Sequence, residues 1–241
     1  MTWVAPDFRT RHPLHVVTLD DFRPTDYSRA YPYLRSKGVA GTSYIITDRA
    51  RDTNWHNVRE MYRGGWDCQC HTYSHEYLWD MTEAQLREQM QLANTVFEEE
   101  RLPAPEHIAY PFGAYNALVQ EIIGEYRLTQ RRVPTLPPVD AVATYDSLEY
   151  DAIEAVNGDL ASQQDLEATK MAIDKAAATN GIVVTMTHSL VDAITDSSQC
   201  LFSLFQAMVE YSLSRGVRVV SVAQMYNTVA FHRLIYGGVQ Q

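Results

Sequence analysis

The 241-residue sequence predicts an α/β fold on a mainly parallel sheet, closed as a barrel or left open. Short apolar runs of strand length alternate with longer stretches of helical periodicity, the pattern of successive βαβ units. Acidic residues and histidines stand just after several of the apolar runs, where parallel α/β folds gather their working residues. No internal repeat or low-complexity tract interrupts the alternation.

The elements follow in order. His15 to Leu19 reads as a buried strand ending in Asp20 and Asp21, and Tyr44 to Thr47 as a second. Trp55 to Arg63 reads as a short helix, followed by Gly64, Gly65 and a strand from Trp66 to Cys70. Thr82 can cap the clearest helix, with Gln85 at the capping-box position and Leu86, Met90, Ala93 and Phe97 at helical spacing. Pro103 and Pro105 end that helix, and His107 to Tyr110 forms a strand running into Pro111, Phe112 and Gly113. Tyr115 to Tyr126 reads as helical and Arg127 to Val133 as extended. From Pro134 to Asp159 the pattern is broken by Pro134, Pro137 and Pro138. A helix over Asp165 to Thr179, a strand over Ile182 to Met186, a helix over Leu201 to Ser214 and a strand over Val217 to Val222 complete the series.

Hydrophobic residues at 46% and charged residues at 21% suit a globular chain with a sizeable core, and no apolar run approaches the roughly 18 residues of a membrane span. The net charge of −10 disfavours binding to nucleic acid or to an anionic membrane. Three cysteines give no disulfide framework, and Cys68 and Cys70 read as two side chains on one face of a buried strand rather than as zinc ligands. The first residues, Met1 to Asp7, lack the basic start and apolar run of a signal peptide. Location stays open between an extracellular or viral assembly and the cytoplasm.

His71 and His75 are four apart, so on a helical turn both rings reach one ion. An aspartate from the Asp20–Asp21 pair would complete a two-histidine, one-carboxylate metal site and leave the other aspartate as a base. His188 follows a third strand. His15, inside an apolar strand, reads as a buried and satisfied histidine; His12, His56, His107 and His232 have no partner motif.

These residues carry a family resemblance. Thr18-Leu19-Asp20-Asp21-Phe22 resembles the Thr-Phe-Asp-Asp-Gly motif of the polysaccharide deacetylases of the NodB-homology group, carbohydrate esterase family 4. His71-Thr72-Tyr73-Ser74-His75 is similar to their His-(Ser/Thr)-x-x-His motif, Tyr110-Pro111-Phe112-Gly113 to the core of their Arg-x-Pro-(Tyr/Phe)-Gly motif, and Val183 to His188 to their last motif. The resemblance spans roughly residues 14 to 225. It implies one domain over 1–241 with an apolar tail over 226–241, and a distorted (β/α) barrel of about seven strands with a NodB-like fold.

The resemblance further implies a metal-dependent hydrolase that removes N- or O-linked acetyl groups from a carbohydrate by metal-activated water. Asp20 would be the base, His188 the acid, and Asp21, His71 and His75 the ligands of zinc or another divalent ion such as cobalt, nickel or manganese. Tyr110, Pro111 and Phe112 would help polarise the acetyl carbonyl, and Leu190 would line the methyl pocket. The sequence departs from the family at Phe22, which replaces a glycine, and at Ala109, which replaces the base-orienting arginine; Arg131 or Arg132 is a candidate substitute. The Asp-Trp motif is missing, with Asp146 or Asp151 as its candidate remnant. The expected partner is an acetylated carbohydrate, without membrane insertion, and the tail after Tyr226 could make a homo-oligomer contact. Two alternatives are a catalytically silent carbohydrate-binding module and a hydrolase of small cyclic amides or imides.

Overall fold

The computed structural model describes residues 11–48, 53–133 and 136–236. The readings that concern Met1 to Asp7, Pro134 and residues 237–241 of the tail lie outside these ranges.

The sheet is built around β1 (Leu14–Leu19), whose six residues are all buried. β7 (Ile182–Thr187) runs along the whole of one edge. The other edge is shared, with β10 (Arg218–Val220) beside Leu14 to Val16 and β2 (Thr42–Ile45) beside Thr18 and Leu19. β3 (Asp67–Cys70), β4 (His107–Ala109) and β5 (Thr129–Arg131) extend the sheet beyond β2, and the two-residue β6 (Val156–Asn157) extends it beyond β7. Among the described residues this makes eight parallel strands, in keeping with the expected distorted barrel of about seven, with β10 wedged beside half of β1. A single bridge from Arg131 to Ile153 draws the chain just ahead of β6 onto β5, and the sheet curls into a half-barrel.

Helices cover the outside: α1 (Tyr31–Ser36), α2 (Trp55–Arg63), α3 (Glu83–Glu99), α4 (Ala117–Gly124), α5 (Gln163–Thr179) and α6 (Phe202–Ser214), with α7 (Val222–Tyr236) after β10. The Thr82/Gln85 capping box opens α3 as its residues require, and Ser162 with Asp165 forms a second box on α5. The tail after Tyr226 is therefore mostly the continuation of α7; it buries Val229 and leaves Phe231, Leu234 and Ile235 exposed. Among the described residues, no helix is long and apolar enough to cross a membrane.

Successive strand residues point to opposite faces, and this parity sorts the core. Leu14, Val16, Tyr44, Ala109, Val184 and Met186 face inward and pack with Met225 and Val229 of α7. Val17, Leu19, Ile45 and Val183 face outward beneath Leu166, Ile173 and Phe205 of the helices. Cys68 and Cys70 are both free and buried. His15 is fully buried, bonded through Nδ1 to Ser212 Oγ at 2.7 Å and through Nε2 to Thr185 Oγ1 at 3.0 Å.

β6 approaches β7 so closely that a Cβ on Gly158 would lie 2.4 Å from Thr187 Oγ1 and 2.9 Å from the Met186 carbonyl oxygen. Gly158→Ala is expected to lower stability by about 1–3 kcal/mol through overpacking, as read from the urea midpoint.

Candidate active site

The inward parity of the strands also assembles the site. Continuing past the strand ends, Asp20 follows β1, His71 follows β3 and His188 follows β7, all at the carboxyl ends of parallel strands. Asp21 departs from the pleat with φ 71°, and Phe22 follows at 52°. The Phe22 ring turns into the core and is 7% exposed, so burial offsets a backbone conformation that a glycine would adopt freely. It does not narrow the site.

His71 and His75 do not lie on a helical turn. The chain between β3 and the Leu78–Asp80 turn is irregular, and Thr72 at φ 66° and His75 at φ 60° bend it so that the two rings converge. Gln89 of α3 secures the bend, its side-chain oxygen accepting from the N–H groups of Tyr73 and Ser74 at 3.1 and 3.0 Å. His71 Nε2 and His75 Nε2 each stand 3.4 Å from Asp21 Oδ1.

These three residues form a possible metal-binding triad, with ligand atoms within 4.8 Å of one another. Their donor set fits a divalent ion. Asp21 Oδ1 is buried without a hydrogen-bond partner, which is costly unless a cation satisfies it. His71 Nδ1 donates to the Ala109 carbonyl at 2.9 Å, which leaves the Nε2 lone pair facing Asp21. Burial lowers the His71 pKa despite Asp20 and Asp21, favouring the neutral imidazole that a ligand must be. Burial works against the charge on Asp21, but His71, Arg23 and His75 outweigh it and hold its pKa below the usual carboxylate range.

Asp20 is 2% exposed, and its carboxylate accepts from Nη2 of Arg131, itself among the largest fully buried side chains. The guanidinium also lies over the Tyr44 ring, 5.2 Å from its centre. Arg131 pairs in register with Ala109, so the guanidinium rises from the strand beside Ala109 at the same height. Parity separates the two candidates: Arg132 turns outward, where it pairs with Glu154 and lies over Tyr115.

On the other flank His188 Nδ1 donates to Asp159 Oδ2 at 2.6 Å, and its backbone N–H donates to Asp159 Oδ1 at 2.8 Å. Burial disfavours the imidazolium, but the Asp159 bond and the charges of Asp20, Asp159 and Asp21 prevail and raise the His188 pKa. Neither candidate for the Asp-Trp remnant is at this position: Asp146 pairs with Arg11 near the surface, and Asp151 is exposed. The signal for Asp159 in the sequence was an acid directly after Val156-Asn157-Gly158, but a two-residue strand gives no periodicity to read.

Of the remaining candidates, Phe112 is 51% exposed at φ 57° beside His75, and Pro111 is buried. The Tyr110 side chain is wholly buried, bonded to Gln130 and stacked on Tyr115, so it lies in the core rather than in the site. Leu190 is fully buried on β8 (Ser189–Val191), which pairs with β9 (Gln199–Leu201). Arg131→Met is expected to cost about 3–5 kcal/mol by stranding a buried carboxylate. The double variant with Asp20→Asn should unfold at higher urea than Arg131→Met alone.

Comparison with known proteins agrees with this architecture. The sequence profile of the polysaccharide deacetylase family matches residues 9–130. A poly-beta-1,6-N-acetyl-D-glucosamine N-deacetylase of Staphylococcus aureus is 26% identical over 117 residues, covering 42% of this chain and 40% of that protein. Thus the chain matches well under half the length of this relative. The Xyl-CE4 domain of a multidomain xylanase from the hindgut metagenome of Trinervitermes trinervoides superposes with a TM-score of 0.62 at 15% identity, covering 91% of this chain and 92% of that one. A CE4 family pseudoenzyme from Bacillus anthracis superposes with a TM-score of 0.60 at 14% identity, covering 88% of this chain and 65% of that one. The chain belongs to the polysaccharide deacetylase family, the NodB-homology group of carbohydrate esterase family 4.

Proposed function

We propose that this protein is a zinc-dependent deacetylase that removes N-linked acetyl groups from a polymer of acetylated amino sugars. One observation carries the reading: a buried, unpartnered Asp21 oxygen faces two histidine Nε2 atoms, with Asp20 and His188 each held by an oppositely charged partner. The two-nitrogen, one-oxygen donor set suits zinc with positions left open. The N-deacetylase relatives support an amide rather than an ester, and a sugar polymer rather than a small cyclic amide.

A bound divalent ion would supply Lewis acidity at the acetyl oxygen and make water more acidic. The chain supplies the rest. Asp20, oriented by Arg131, takes the proton as a water oxygen bonds to the acetyl carbon. The backbone N–H of Phe112, whose ring lies against His75, would donate to the carbonyl oxygen as charge develops. Leu190 is fully buried and offers the acetyl methyl no surface. His188 then protonates the sugar nitrogen as the carbon–nitrogen bond breaks, releasing acetate and a free amine. A silent binding module needs neither a base nor an acid, so the presence of Asp20 and His188 with their partners supports the enzyme reading.

Asp20→Asn should bind one equivalent of zinc, measured by metal analysis after dialysis. It should lose about 100-fold or more in acetate release from N-acetylglucosamine oligomers. No acetate release from any acetylated glycan by the zinc-loaded wild type would sink the proposal. His188 must be protonated to act, so activity should fall as pH rises through its pKa. Asp159→Asn removes the charge that raises that pKa, and the alkaline limb of the kcat profile should move to lower pH.

A further inference from the structure

Beyond His75 the surface carries aromatic rings that the hydrolytic chemistry does not use. Tyr77 stacks on Phe112 with ring centres 4.3 Å apart, and Trp79 lies against Tyr77 at 5.5 Å with the planes 12° apart. Phe112 in turn meets the edge of His75 at 4.7 Å, so the row starts at a candidate metal ligand. Tyr77, Trp79 and Phe112 are 46%, 51% and 51% exposed, three large rings side by side on the surface.

The row is held in place before any ligand arrives. Trp79 Nε1 donates to Asp80 Oδ2 at 3.1 Å, and Asn116 Nδ2 donates to the Trp79 carbonyl at 3.3 Å. Rings fixed in this way lose little freedom on binding. Tyr77 is stacked between Phe112 and Trp79, so the ring at the end of the row, Trp79, is the one left to meet the C–H face of a sugar whose hydroxyls stay in water.

The charge around the row narrows the choice of sugar. An open cleft of about 430 Å³ is lined by His75, Glu76, Tyr77, Asp80 and Phe112, together with Met81 and Gln85. Its lining has two carboxylates and neither lysine nor arginine. Asp80 is engaged with the indole, whereas the exposed Glu76 carboxylate makes no hydrogen bond or ion pair among the described residues. A uronate or phosphorylated glycan would be repelled, and a neutral acetylated sugar would leave the carboxylates unused. An ammonium group satisfies them and is also attracted to the face of Trp79 at the end of the stack.

We infer that the Tyr77–Trp79–Phe112 row with Glu76 and Asp80 is a subsite for a sugar unit bearing a free amine, next to the unit held at the triad. The inference rests on the deacetylase reading and sharpens its substrate to a partly deacetylated amino-sugar polymer. Each product amine would then help to hold the chain for attack on a neighbouring unit.

The test is calorimetric binding of two glucosamine oligomers of equal length, one fully N-acetylated and one with half its units as free amines. The zinc-loaded Asp20→Asn protein serves as host so that the ligands are not consumed. It should bind the amine-bearing oligomer about threefold more tightly, with the preference fading at high salt. Adding Glu76→Gln should erase the preference, and adding Trp79→Ala should weaken both oligomers about tenfold. Circular dichroism checks that the Asp20→Asn host and these exposed substitutions keep the fold. Equal binding of the two oligomers, or no effect of Trp79→Ala, overturns the inference. Acetate release by the wild type from the same oligomers is followed in parallel. If it is absent while the binding preference holds, the deacetylase reading fails and the subsite stands.

Discussion

The buried pair of Asp20 and Arg131 is the constraint on which the site depends. On a flat sheet β1 and β5 would stand about 19 Å apart, beyond the reach of any side chain. Their contact therefore requires the curl that the Arg131–Ile153 bridge completes. Leaving either charge alone at this depth costs several kcal/mol. The pair consequently links curvature to chemistry: the sheet holds its curl, and the carboxylate keeps one orientation beside the triad.

The His188–Asp159 pair has a similar logic on the opposite flank. There the close approach of β6 to β7 at Gly158 brings an acid against both the ring and the backbone N–H of the histidine. Asp20 has a positively charged partner and His188 a negatively charged one, and the triad lies near both. Under the proposed mechanism the base Asp20 and the acid His188 would thus have the opposite surroundings that their opposite protonation tasks call for.

The backbone around the triad is held in strained conformations. Among the described residues seven non-glycine positions have positive φ, and five of them, Asp21, Phe22, Thr72, His75 and Phe112, belong to this site. Each such residue costs of order 1 kcal/mol and persists only where its surroundings insist. Here they do so through the buried Phe22 ring and the Gln89 clamp on the loop after β3. Here the left-handed residues, rather than a helical turn, aim His71 and His75 at Asp21.

The amino-acid order alone determined the alternation of strands and helices, the capped start of α3, and the membership of Asp20, Asp21, His71, His75 and His188 in one face. Those features are local: periodicity, capping and the position of polar residues after apolar runs are all properties of neighbours in the chain. The tertiary structure decided what depends on parity, register and curvature. Arg131 rather than Arg132 reaches Asp20 because it faces inward, in register with the small Ala109. Asp159 rather than Asp146 or Asp151 partners His188 because a two-residue strand, too short to show a period, is pressed against β7. The convergence of the two histidines through left-handed residues rather than a helical turn was equally hidden. A backbone conformation of that kind is imposed by long-range packing, and the intrinsic preferences of Thr72 and His75 run against it.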